Sequence, residues 1–139
     1  MKQLKTEIIA LCDYASISRE GKLNINGIFD ELRVQQFPGG LARAFFVATI
    51  SGTPNTSYKL NLKIEPSEGF AGEKSSFDLD TSTGPNGKNN LVVELMGLAF
   101  KEEGDYKFIL NEKKKEVGST TLKVLDQRKY SIKDTKLPN

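Results

Sequence analysis

The chain has no histidine, no tryptophan and a single cysteine, Cys12. Each shortage removes a class of function. Imidazole is the commonest side-chain acid or base near neutral pH and the commonest zinc ligand. Without it, serine–histidine triads, cysteine–histidine dyads and histidine-based metal sites are excluded. One cysteine cannot form an intrachain disulfide or a multi-cysteine metal motif, and a lone thiol fits a reducing cytoplasm. The absence of tryptophan removes the flat platform that sugar-binding sites often use. No apolar run approaches the roughly 20 residues of a membrane-spanning helix. The patch Ile8-Ile9-Ala10-Leu11, behind Lys2 and Lys5, is too short for the apolar core of an export signal. We therefore expect a cytoplasmic protein that has no membrane partner.

What is present is ordinary for a globular protein: 139 residues, 37% apolar, 27% charged. That length suits one domain whose core buries about two thirds of the unfolded surface, so neither disulfide nor metal is needed to hold it together. The net charge of +2 gives no argument for nucleic acid.

Along the chain, apolar residues alternate with polar ones instead of recurring at helical spacing. Residues 4–11 read as a first strand, and Cys12 to Gly21, with Asp13, Ser16, Ser18 and Gly21, as a loop. In KLNINGIF, Leu23, Ile25, Gly27 and Phe29 share one face, and Lys22, Asn24 and Asn26 the other. Beyond Asp30 the apolar positions become Leu32 and Val34, a slip of one residue that predicts a bulge or bend at Asp30, made possible by Gly27. Phe37-Pro38-Gly39-Gly40 reads as a turn. AFFVATI, residues 44–50, is apolar on both faces and predicts a central strand covered on both sides.

YKLNLKIEP, residues 58–66, alternates strictly, and Ser75 to Asp80 is a short strand carrying Phe77 and Leu79. TSTGPNGKNN, residues 81–90, predicts an exposed, mobile loop. LVVELMGLAF changes phase at Gly97, and residues 104–125 read as a hairpin around Glu112-Lys113-Lys114-Lys115. About eight short runs separated by turns predict an all-β fold, an antiparallel immunoglobulin-like sandwich of about 7–9 strands. We expect one domain over residues 1–125 and a loose basic tail over 126–139.

FKEEGDYKFIL resembles the tyrosine corner of immunoglobulin-like sandwiches, with Glu102, Gly104 and Tyr106 spaced as an acidic residue, a glycine and a strand-opening tyrosine. A second likeness covers about residues 8 to 125. CDYA, GKLNINGIFD, FP, AFFVATI, LAF, GDYKFIL and TLKV together are similar to a family of small bacterial and phage-associated proteins of unknown function. That resemblance implies a stand-alone β-sandwich in bacteria and supplies no activity, cofactor or catalytic residue.

The remaining candidates weigh toward structural duties. Cys12 beside Asp13 lacks the cationic neighbour that would activate a thiol, so an inert buried cysteine is expected. Asp13, Asp30 and Glu31 could approach one another, yet DELRV and DLDTSTG lack the ligand spacing of a calcium loop, and turn or bend duties fit them better. Lys113 to Lys115 reads as a solvated hairpin tip, without the interleaved aromatics of a base-stacking surface. Asp13, Tyr14, Asn24 and Asn26 are candidates for a partner surface, and Tyr58 and Phe70 for a ligand rim. Glu102, Gly104, Tyr106, Gly27 and Asp30 are expected to shape the fold. No catalytic residue, cofactor or metal is expected. The function these features favour is a non-enzymatic interaction or structural module, with a protein partner or self-association. A carbohydrate-like ligand site and a weak nucleic-acid accessory role are the alternatives.

Overall fold

The computed structural model describes residues 3–66 and 75–129. Alternation becomes nine strands: β1 Lys5–Ile17, β2 Leu23–Phe29, β3 Glu31–Val34, β4 Gly39–Ser51, β5 Ser57–Pro66, β6 Ser75–Ser82, β7 Lys88–Phe100, β8 Gly104–Glu112 and β9 Lys115–Asp126. They form two sheets, β2-β1-β4-β7 and β3-β9-β8-β5-β6. The chain is an all-β sandwich, as its periodicity implies. One pairing departs from the antiparallel expectation, because β3 runs parallel to β9.

The strictly alternating strands behave as their pattern dictates. Leu60, Leu62 and Ile64 of β5, Phe108 and Leu110 of β8, and Leu122 and Val124 of β9 meet Leu11, Phe46 and Ile50 from the other sheet in one dry core. Each such aliphatic or aromatic side chain contributes roughly 1.5–3 kcal/mol by leaving water.

Several local expectations are corrected, in each case because a partner strand overrides local turn chemistry. Cys12 to Ile17 is strand, paired with β2, and only Ser18 to Lys22 forms the turn. Gly39 and Gly40 open β4, and a Cβ on Gly40 would lie 1.9 Å from the Leu98 carbonyl oxygen, so this glycine permits close approach of two strands. Half of the polar stretch 81–90 is strand, β6 running to Ser82 and β7 beginning at Lys88. Its connection is tied down by amide bonds from Gly52 to the Gly87 carbonyl and from Asn55 to that of Gly84, while the Thr83 hydroxyl donates to Thr53 O at 2.6 Å. Asp126, assigned to the tail, is the last residue of β9 and is buried. Arg128 grips its carboxylate at 3.0 and 2.8 Å from a short 3-10 turn, Gln127–Lys129. Residues 130–139 lie outside the described residues.

Two glycines explain where alternation slips. In β7, Leu91, Val93 and Leu95 face the core before Gly97, and Leu98 and Phe100 face it afterwards; Gly97 has φ +64°. In β2 a further change falls at Gly27, with φ +71°: Leu23 and Ile25 pack on one side and Phe29 on the other, while the expected slip at Asp30 is also present, Phe29, Leu32 and Val34 all packing on the main core. A left-handed residue adds a half-turn of twist that resets which face the next side chain takes. Asp30 has a further task. It is the one-residue connection between β2 and β3, which lie in different sheets, and its carbonyl accepts the Lys123 amide at 2.9 Å.

Candidate interaction surface

β1 is hydrogen-bonded to β4 only from Lys5 to Cys12, whereas its ladder with β2 extends to Ile17 opposite Leu23. Beyond Cys12 the two strands therefore leave the sheet together as a ribbon. Three observations show where it goes. Ala15, Leu23 and Ile25 from the ribbon pack with Ala10, Cys12, Phe45, Val47 and Val92. The Gly21 carbonyl, at the ribbon tip, accepts a bond from Asn90 Nδ2 of β7 at 3.4 Å. Phe45 and Val47 are buried although their side chains point away from the main core. The ribbon thus folds back over the outer face of the four-stranded sheet and covers β4, the second cover that AFFVATI predicts.

The bend is built from Asp13 and Gly27, which face each other across the ribbon. Asp13 Oδ2 lies 2.5 Å from where a Gly27 Cβ would be, so the carboxylate occupies the space that glycine leaves. Next along the ladder, Tyr14 opposes Asn26 and Ser16 opposes Asn24. The structure therefore brings the four sequence-proposed surface residues, Asp13, Tyr14, Asn24 and Asn26, onto adjacent exposed positions of one ribbon. Tyr14 also meets the Phe45 ring edge-on at 5.3 Å. The Arg43 guanidinium sits 5.0 Å from the centre of that ring and pairs with Glu94 of β7. Sequence reasoning missed Phe45 and Arg43 here; the apolar outer face of AFFVATI was the available signal.

Cys12 lies under this bend with no exposed surface, and burial pushes its thiol pKa up, with Asp13 adding in the same direction against a lowering backbone hydrogen bond from Tyr14. A protonated thiol without access is a packing group.

The other proposed residues go elsewhere. Asp30 and Glu31 border a shallow depression with Asp105, Thr121 and Lys123, and Asp13 is not among its lining residues. Among the described residues no group of three or more cysteine or acidic side chains is arranged to hold a metal. The Tyr106 hydroxyl donates to the Glu102 carbonyl at 2.6 Å, tying the turn before β8 to that strand, and Gly104 between them has φ 149°. Tyr58 is a largely buried core residue whose hydroxyl accepts the Thr53 amide at 3.0 Å, and it lines an open depression with Lys59, Asp80 and Asn89; Phe70 lies outside the described residues. Lys113 and Lys114 form the exposed β8–β9 turn.

A second concavity, of about 450 Å³, opens between the edge strands β6 and β7. Ile64, Leu95 and Phe100 line it with Phe77 and Met96, two exposed residues that sequence reasoning did not single out.

The architecture defines a class: an immunoglobulin-like β-sandwich, with nine strands among the described residues. Within that class the chain belongs to a family of unknown function (DUF6941), whose pattern it matches over residues 7–125. No curated protein matches it. An immunoglobulin-like protein from Pseudomonas aeruginosa is similar in fold, with TM-score 0.50 and 13% identity over 88% of this chain and 96% of that one. Part of a Listeria innocua β-glucosidase in complex with gluconolactone is similar at TM-score 0.53 and 9% identity, over 90% of this chain. Part of the Pseudomonas fluorescens alkylpurine DNA glycosylase AlkC, bound to DNA containing an abasic site analog, is similar at TM-score 0.51 and 11% identity over 84% of this chain. The chain spans 30% of that DNA glycosylase and 16% of the β-glucosidase. At such identities the likeness is one of fold. No helix among the described residues is long and apolar enough to cross a membrane.

Proposed function

We propose that this protein is a non-enzymatic interaction module of a bacterial cytoplasm, of prophage origin by its family resemblance, and that the folded-back ribbon is its contact surface. One observation carries the proposal. Of six exposed large apolar residues among those described, three lie on the paired β1–β2 hairpin, Tyr14, Ile17 and Ile28, the last 65% exposed, and Ile8 lies on β1 before that pairing begins. Single exposed apolar side chains are normal, but a group on one hairpin, flanked by the amides of Asn24 and Asn26, has the composition of a docking patch. The lone Cys12 supports the reducing compartment, and the Tyr106–Glu102 bond supports Tyr106 as a tyrosine corner that stiffens the opposite sheet. The partner is a protein surface that supplies an apolar contact and hydrogen-bond donors or acceptors for the two amides.

The test is site-specific photo-crosslinking in the native host. A photoreactive phenylalanine analogue replaces Tyr14 in one variant and Lys114, on the β8–β9 turn, in the other. A discrete adduct from position 14 that is missing from position 114, and that disappears with Ile28→Lys, is the expected result. Equal adducts at both positions, or none at position 14, would overturn the proposal.

A further inference from the structure

The concavity between β6 and β7 has a construction independent of the ribbon. Near one end the two edges are joined, Asn89 Nδ2 donating to Thr81 Oγ1 at 2.7 Å. Toward the other end they diverge, and Phe77 of β6 and Met96 of β7 border an apolar floor of Ile64, Leu95 and Phe100. Among the described residues, the backbone ladder of β6 is with β5 alone. Its eight residues pair in unbroken register with β5, from Ser57 opposite Ser82 to Ile64 opposite Ser75. A regular edge of this kind presents a row of backbone donors and acceptors on its other side, a template for one more strand. β7 offers no equivalent over the concavity, because the left-handed Gly97 breaks the regularity of its edge.

The side chains of β6 specify what the added strand would carry. Phe77 borders the concavity and Leu79 packs against the core, so alternate residues of a neighbouring strand face the same apolar side. Asp78 and Asp80 occupy the other face and are exposed, standing opposite Asn61 and Lys59 of β5. Opposite charges in cross-strand positions attract, and like charges repel.

We propose that β6 accepts an extended peptide segment of alternating apolar and basic residues as a sixth strand of its sheet. The apolar side chains enter the concavity between Phe77 and Met96, and the basic ones lie beside Asp78 and Asp80.

The probe is a fluorescent eight-residue peptide of alternating valine and lysine, matched to the length of β6. Fluorescence anisotropy gives its Kd on the full chain. Three comparisons accompany it: the same peptide N-methylated at alternate amides, a valine–threonine peptide, and the variant Asp78→Asn/Asp80→Asn. We expect saturable binding by the wild type, weakened about tenfold or more by N-methylation. The double variant should weaken the lysine peptide several-fold while leaving the threonine peptide unchanged. Met96→Lys, at a 70% exposed position, should weaken both peptides with little change in Tm. Absence of wild-type binding would overturn the proposal. So would equal binding of the N-methylated peptide, or indifference of the lysine peptide to the double variant. A concentration-dependent dimer of the free chain, abolished by Phe77→Lys, would also overturn it by giving this edge to a second copy.

Discussion

The two outer faces of the sandwich follow opposite rules. On the five-stranded sheet the outward residues are mostly polar and complementary, Ile109 being an apolar exception: Lys59 faces Asp80, Glu65 faces Lys107, and Asp105 faces Lys123. Asn61 also donates to Ser76 and Asp78. Water is an adequate neighbour for such a surface. On the four-stranded sheet the outward positions include Ala10, Cys12, Phe45 and Val47, which water solvates poorly, and the chain supplies its own cover by folding the β1–β2 ribbon back. Where alternation is strict, a sheet needs one packed face. Where it fails, a third layer is required, even if that layer is only one hairpin.

The largest expected effect would come from breaking that third layer. Phe45→Ala should cost about 3–5 kcal/mol, as for other buried aromatic truncations. Lys63→Ala, on the outward face of the other sheet, should stay within about 0.5 kcal/mol. Urea unfolding of both variants measures the contrast, and similar losses would mean that the ribbon does not shield Phe45.

The two left-handed glycines sharpen the comparison. Gly97→Ala meets no atom within 4 Å, so only backbone strain of about 1–2 kcal/mol is expected. Gly27→Ala carries the same strain plus a collision with the Asp13 carboxylate, and should cost more. Removing that carboxylate with Asp13→Ala in the Gly27→Ala background should recover the excess and leave the strain. A double-mutant cycle with no coupling between the two positions would place the bend elsewhere.

Two pH responses are expected to be smaller. The Cys12 and Tyr106 pKa values are both raised by burial, so each group holds its proton more tightly when folded. Their contribution is complete below the unfolded values, about 8.5 and 10, and is lost as pH rises through the folded ones. Cys12→Ala should flatten the lower part of that alkaline decline. In native protein Cys12 should react with a thiol reagent only at the rate of ribbon opening, and Gly27→Ala should accelerate it.

At the closing turn of the five-stranded sheet the sign reverses. Glu103, hydrogen-bonded by Lys129, and Asp126, held by Arg128, have lowered carboxyl pKa values. Their contribution is present above about pH 4 and is lost as pH falls through the folded values. Arg128→Ala should make the urea midpoint less sensitive to acid, and an unchanged acid limb would show that the turn does not couple to unfolding.

Much of this could be read from residues alone. Strict alternation places β5, β8 and β9, and the phase change at Gly97 is visible because Leu95 and Leu98 cannot both face inward on an unbroken strand. Tyr106 is legible through its spacing from Glu102. The strand character of Cys12 to Ile17 was hidden because Asp13, Ser16 and Ser18 are good turn formers, and only the ladder with β2 outweighs that preference. Gly27 was misjudged for a related reason: Leu23, Ile25 and Phe29 keep the same parity while the strand between them turns over. The surface residues Asp13, Tyr14, Asn24 and Asn26 were identifiable singly, but their adjacency depends on a register that no local pattern encodes. Phe77 and Met96 gave no signal, since a cleft belongs to two sheet edges.

By itself the sequence determined that this protein is built of strands and that residues 44–50 must be dry on both sides, because side-chain period and β-branched bulk are local properties. Tertiary structure alone decided what dries the second side: a ribbon that turns back at Asp13 and Gly27 and reaches β7. Periodicity records which face avoids water, but the element that covers it is chosen by pairing over long stretches of chain.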